Sequence, residues 1–396
     1  MAVPLLDLRL QYAQVKNEVA RRLDALLESQ QFILGPAVAE LEDAVRIYTG
    51  CGHAVGASSG TDALLAILMA MDIGRGDAVV TTSYTFFATA GCIHRVGAEP
   101  VFVDIDAETY NMDPARLGEC LRNKCRSGPD GRLVTSAGNR VRAIMPVHLF
   151  GCICDMDRIG ELAAEFDLPV IEDAAQAIGA DYPSRSGEAL RAGAIGEASY
   201  FSFFPSKNLG AFGDAGMATC RDGELAAQIR LIRNHGMGKQ YHHEKVGGNF
   251  RIDAMQAAVL SAKLQHLDRW HAERRRNADL YREEFKRLGV DERLVLPAEP
   301  YAGSGLKNHH IYHQYVVRVP HRDRVREALA AAGIGCAVYY PVPLHLQECF
   351  APLGHREGDF PESEKASRES LALPIYPELT AGQIREVAEA LARALA

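Results

Sequence analysis

The sequence predicts an α/β fold: a large domain whose mostly parallel sheet lies between helices, then a smaller C-terminal α+β domain. Three observations carry this expectation. Helical patterns alternate with short apolar strands from residue 10 to about 235. Those strands are apolar on both faces, as in a sheet covered on both sides. After Arg251 the pattern changes to a long helical stretch followed by a mixture of strands and helices. The division is placed between residues 1–252, with an N-terminal arm, and residues 253–396.

Each element has its own justification. Val15, Val19, Leu23, Leu26 and Leu27 form the stripe of a first helix, which ends near Leu34-Gly35-Pro36. A helix is expected over Thr61–Met71. Ala78-Val79-Val80 and Pro100–Val103 read as strands, with a helix over Ala88–Val96 between them. Ala143–Val147 and Pro169-Val170-Ile171 are two more strands, flanking a helix over Met156–Phe166. The polar stretch Cys125–Arg140, with Gly128, Pro129, Gly131 and Gly138, reads as an exposed insertion. A helical stretch from Asp253 to Leu288 links the two domains, and its Arg274-Arg275-Arg276 run is expected on a solvated face. The last ~90 residues combine strands at Tyr315–Val319 and Cys336–Tyr340 with helices at Arg322–Ala332 and Ala381–Leu395.

Composition removes several classes of function. Of 396 residues, 47% are hydrophobic and 24% charged, which is globular rather than disordered. A net charge of −8 without a basic stripe argues against a nucleic-acid or anionic-membrane surface. Charges interrupt every apolar run well before the length of a membrane span. The first 30 residues lack the apolar core of a secretory signal. Nine cysteines without framework spacing fit reduced thiols, so a cytoplasmic location is expected. Cys152 and Cys154 form the only close pair, and without a second pair no metal site is expected.

Three clusters carry chemistry. Ile171-Glu172-Asp173-Ala174-Ala175-Gln176 places acids at the end of an apolar strand, where open sheets bind ligands. Such an acid could ligate a metal, cap a helix or hold a protonated ring nitrogen. Ser58-Ser59-Gly60-Thr61-Asp62 joins a strand to a helix, and free amides there suit either a phosphate or plain capping. In Ser202–Gly210, Lys207 sits among aromatic and glycine residues that would desolvate it and make its amine nucleophilic. An ordinary exposed lysine is the alternative. A phosphate cradle, an acid for a pyridinium and a reactive lysine together make the set that pyridoxal 5′-phosphate (PLP) requires.

With these motifs the chain resembles the DegT/DnrJ/EryC1/StrS family of PLP-dependent nucleotide-sugar aminotransferases. The likeness runs from Phe32-Ile33-Leu34-Gly35-Pro36 to Tyr340-Pro341-Val342-Pro343-Leu344-His345. It is strongest at Ser59–Leu64, Glu172–Gln176, Ser202–Gly210 and Gly248–Arg251, and the Cys125–Arg140 insertion departs from it. The resemblance implies the fold-type-I architecture, with PLP as cofactor and pyridoxamine 5′-phosphate as its intermediate form. Lys207 matches the Schiff-base lysine, Asp173 the acid of the pyridine nitrogen, and Gln176 the neighbour of the ring hydroxyl. Phe86 matches the aromatic that stacks on the ring. Gly60, Thr61 and Ser202 match the phosphate ligands, with Ser59 beside them in the cofactor set. Asn249 matches a phosphate contact from a second subunit, which implies a homodimer with shared sites. Arg251, Tyr340 and His345 fall on the substrate side. The amino donor implied is L-glutamate, leaving 2-oxoglutarate, and the acceptor a UDP- or dTDP-linked keto-sugar. The motifs around Phe32, Pro146–Gly151 and Tyr340–His345 look like those of members acting on 3-oxo sugars, with 4-oxo sugars as the alternative. A PLP-dependent sugar dehydratase is more distant, since such relatives carry His in place of the lysine. So is a non-enzymatic regulator, against which the charge argues.

Overall fold

The computed structural model describes residues 3–128 and 131–396. In chain order the elements are α1 (Leu8–Ser29), α2 (Pro36–Thr49), β1 (His53–Ala57), α3 (Gly60–Ala70), β2 (Asp77–Thr82), α4 (Ala88–Arg95), β3 (Glu99–Val103), α5 (Pro114–Glu119), β4 (Arg126–Ser127), β5 (Leu133–Val134), β6 (Arg140–Met145), α6 (Met156–Glu165), β7 (Ile171–Asp173), β8 (Asp181–Pro183) and β9 (Ala189–Arg191). They continue with β10 (Ala198–Ser202), β11 (Gly216–Cys220), α7 (Gly223–Arg233), β12 (Met237–Lys239), β13 (His242–His243), α8 (Ala254–Leu264), α9 (Leu267–Leu288), β14 (Tyr315–Arg318), α10 (Arg322–Ala331), α11 (Pro361–Glu369), β15 (Ser370–Leu373) and α12 (Ala381–Leu395).

The strands pair in the order β3-β2-β6 and β7-β10-β11-β1. Parallel bridges Ile144↔Val170 and Val147↔Asp173 join the two groups side by side. Only β11 runs against its neighbours in this main sheet. Buried strands such as β11 and β10 explain the apolar runs: α3 and α7 pack on the sheet, and Phe201 and Met217 share the large core with Ala257 and Leu260 of α8. The register decides where chemistry can occur. Ala57 and Ser202 both pair with Gly216, and Tyr200 pairs with Asp173. The carboxyl ends of β1, β10 and β7 therefore share one edge of the sheet.

Several sequence expectations change on this frame. The first helix stops at Ser29, where Gln30 is left-handed, and Leu27 is 48% exposed, outside the stripe. The long helix breaks at Gln265–His266 into α8 and α9. The expected division after Ile252 does not coincide with a change of core. Ala254, Leu260, Leu267 and Trp270 pack in the large core, and the small core begins along α9 at Ala278. At the other end, Val3 pairs with Ile334 and packs in the small core. Cys336–Tyr340 is no regular strand; it keeps one bridge, Ala337↔Ala372. The stretch Cys125–Arg140 carries the short β4–β5 hairpin on the edge of β6, with Cys125 and Thr135 buried, while Pro129 lies outside the described residues.

The arginine run is the sharpest correction. Arg274 is 3% exposed and donates to the carbonyls of Tyr312 and Ile375 at 3.0 and 2.9 Å. Residues 274, 275 and 276 point about 100° apart on a helix, so one of them can face the core while Arg276 pairs outward with Glu273. No helix is long and apolar enough to cross a membrane among the described residues. All nine cysteines are unpaired thiols, seven of them buried.

Candidate active site

The shared sheet edge holds a cavity of about 440 Å³. Its walls include Ser59, Gly60 and Thr61 after β1, Thr85, Phe86 and Thr89 after β2, Asp173 and Gln176 after β7, and Ser202 and Lys207 after β10. Tyr340, from the small domain's side of the chain, closes it. Nine of the twelve residues singled out from sequence thus meet in one place. A more open hollow of about 510 Å³ beside α6, lined by Met156, Leu168 and Arg221, contains none of them.

Each group is held by the fold. Asp173 is 4% exposed; its Oδ2 accepts from the Thr89 hydroxyl at 2.6 Å and its Oδ1 from the Ala175 amide at 3.2 Å. Below it, the fully buried Glu172 accepts from His148 Nε2 at 3.0 Å and from the amides of Ile195 and Gly196, both at 2.8 Å. These bonds outweigh burial and hold the Glu172 carboxyl below its usual range. Gln176 Oε1 accepts from the Phe150 amide at 2.7 Å, which leaves Nε2 to donate to the Tyr340 hydroxyl at 3.1 Å. Solvent reaches part of the Lys207 side chain, but crowding by protein lowers its pKa to about 8, with the Asp173 charge opposing the shift. The amine is therefore available near neutral pH.

At the amino end of α3, Ser59 Oγ accepts from the Asp62 amide at 3.0 Å, and the Ala63 amide takes the Ser59 carbonyl. Capping is real here, yet the Gly60 and Thr61 amides precede every intrahelical acceptor and remain for an anion. The backbone is packed too closely for larger residues. A Cβ on Gly60 would lie 2.8 Å from Ser202 Cβ, and one on Gly216 would lie 2.3 Å from the Ser59 carbonyl carbon. An anion cradle, a buried carboxylate and a lysine of lowered pKa on the walls of one cavity fit PLP in size and in donor set.

Three expected residues stand apart. His345 is buried outside the cavity lining, with Nε2 3.2 Å from Glu364 and its ring against Phe360, so it is a packing residue in this chain. Asn249 is exposed, and Arg251 Nη1 donates to Asn234 at 2.8 Å; neither lines the cavity. Both nevertheless run beside the cradle, because Phe250 O accepts from Ser58 N and Arg251 bridges to Ala57. Phe86 lines the cavity but is 58% exposed. Sequence reasoning missed Thr85, Thr89, Tyr200, His313 and Gln314 in the walls. The four-residue spacing of Thr85 and Thr89 was a usable signal, whereas His313-Gln314 enters β14 without any local motif.

Comparison with known proteins agrees with this geometry. The chain is 45% identical to a "Pleiotropic regulatory protein" of Geobacillus stearothermophilus, over 99% of this chain and 98% of that one. It is 41% identical to a UDP-N-acetyl-3-dehydro-alpha-D-glucosamine 3-aminotransferase of Acidithiobacillus ferrooxidans, over 100% and 98%. Its structure superposes on that of DesV from S. venezuelae with a TM-score of 0.88 at 37% identity, covering 99% of this chain and 98% of that one. The profile of the DegT/DnrJ/EryC1/StrS aminotransferase family matches residues 13–392. With so little of the chain outside that match, the protein belongs to the DegT/DnrJ/EryC1/StrS aminotransferase family, whose enzymes depend on PLP.

Proposed function

We propose that this enzyme moves the amino group of L-glutamate to C3 of a UDP- or dTDP-linked 3-oxo sugar, in the cytoplasm, as a homodimer with shared sites. The observation that carries the reading is the convergence of Lys207, Asp173 and the α3 turn on one cavity at the sheet edge. Relatives named for amination at sugar C3 support the position.

When bound, PLP supplies an aldehyde that accepts amino groups and a ring that takes the electron pair released as a substrate C–H bond breaks. The chain's residues do the rest. Lys207, with its lowered pKa, takes a proton from the amino donor's Cα and returns one to the sugar carbon. Asp173 keeps a carboxylate against the ring nitrogen, so that the nitrogen stays protonated. The α3 amides and Ser202 hold the phosphate, and Phe86 and Gln176 orient the ring. Arg251, outside its own chain's cavity, would meet the anionic substrates in the neighbouring chain's site, from the same loop as Asn249; Lys207 is the only lysine or arginine among the described cavity residues. The relative named as a regulator does not alter this reading, since Lys207 and Asp173 are both present here.

The test is a panel of 3-oxo and 4-oxo nucleotide sugars offered with L-glutamate, read by 2-oxoglutarate release. Release with the 3-oxo members is expected. Release with 4-oxo members alone would move the assignment to C4.

A further inference from the structure

The shortest hydrogen bond to Asp173 comes from a side chain on a different element. Thr89, 1% exposed, is the second residue of α4 and lies 84 positions earlier in the chain. A helical threonine commonly turns its hydroxyl back to the carbonyl four residues before it. Here the hydroxyl reaches Asp173 Oδ2 at 2.6 Å instead. Thr85 Oγ1 lies 3.2 Å from Thr89 Oγ1. A carboxylate only accepts, so Thr89 spends its single proton on Asp173 and Thr85 must donate to Thr89. The result is a one-way chain, Thr85 to Thr89 to Asp173, on the same cavity wall as Phe86.

The surroundings show why a donor matters at that oxygen. The buried Tyr200 phenol also hydrogen-bonds to Asp173; burial, the Asp173 charge and that bond push it well above its usual pKa, so it stays a neutral hydroxyl. The Asp173 charge acts on Lys207. A buried carboxylate depends on its hydrogen-bond donors to hold it in place.

We propose that Thr89, oriented by Thr85, is a positioning residue for the reaction: its hydroxyl fixes the Asp173 carboxylate for pairing with the cofactor's ring nitrogen. This rests on the assignment of Asp173 to that nitrogen. Without the hydroxyl, the carboxylate loses its shortest hydrogen bond and its alignment with the ring nitrogen, and the ring becomes a weaker electron sink.

The test uses apoenzyme and two probes, PLP and its 1-deaza analogue, whose ring has carbon in place of the nitrogen. Equilibrium dialysis gives the ratio of their dissociation constants. Wild type should prefer PLP. Thr89→Val, which keeps the shape, should lose on the order of tenfold of that preference, as for one hydrogen bond to a charged group. Thr89→Ser should restore it. Equal binding of both probes by wild type would remove Asp173 from the ring nitrogen, and the functional reading with it. A clear preference in wild type that Thr89→Val leaves unchanged would overturn the role of Thr89 alone, as would loss of the preference in both variants. If Thr89→Val does not fold, Thr85→Val carries the test; it should show a smaller loss in the same direction, and no loss overturns the proposal.

Discussion

In the proposed reaction Lys207 and Asp173 bear the chemistry, and each makes a separate prediction. Removing the amine leaves the cradle intact, because anion binding uses the α3 amides. Lys207→Ala should therefore bind PLP reversibly but show no turnover; full turnover would remove the lysine from the mechanism. The pH dependence follows from its environment. Desolvation favours the neutral amine, so its pKa lies at about 8 rather than the usual 10.5. The rate at which apoenzyme captures the PLP aldehyde should climb with pH and level off near 8. A plateau near 10.5 would show an unperturbed lysine. Asp173→Asn keeps the shape and loses the charge, and should lower turnover on the order of 10²-fold with a smaller loss of cofactor affinity. These two residues were legible because their motifs are local. Thr89 was not, since its partner is distant in sequence and only the pairing of β7 beside β6 and β2 brings α4 over Asp173.

At the scale of elements, close approach and buried charge make the predictions. Gly216 begins β11 directly against the Ser59–Gly60 turn, so Gly216→Ala must push that turn away. Overpacking of this kind costs about 1–3 kcal/mol, and affinity for PLP should fall with stability. A thermal melt and a PLP titration check both together; unchanged affinity would mean that the turn does not hold the phosphate. Arg274→Leu leaves the carbonyls of Tyr312 and Ile375 without their donor between α9 and the small domain. A loss of about 2–3 kcal/mol in chemical denaturation is expected. The buried face of α9, at Trp270, Arg274, Asn277, Tyr281 and Phe285, has helical spacing, but a reading by charge alone sends Arg274 to solvent. The strand expected at Cys336–Tyr340 failed for a related reason. Its partners are tertiary: the Tyr84 hydroxyl accepts from the Tyr340 amide, and Gln176 donates to the Tyr340 hydroxyl.

For the whole molecule, the alternation of strands and helices was enough to give the class of fold and the edge where ligands bind. The division between domains was not legible, because α8 continues the helical pattern while packing on the large core. Nor does Asn249 line the cavity of its own chain; it bridges to Asn234 and lies exposed beside the cradle. If it serves a neighbouring chain, Lys207→Ala and Asn249→Ala subunits should each be nearly inactive alone. Random reassembly would give about half mixed dimers, each with one intact site, and activity of about one quarter of wild type. No recovery in dimers confirmed by mass would place Asn249 in the site of its own chain. The central claim is transfer of glutamate nitrogen to sugar C3, and its most direct measurement follows the atom itself. With ¹⁵N-glutamate and a UDP- or dTDP-linked 3-oxo sugar, nuclear magnetic resonance of the product should show ¹⁵N bonded to C3 with wild type and none with Lys207→Ala. Nitrogen at C4, or ¹⁵N left wholly in glutamate while PLP is bound, would contradict the account.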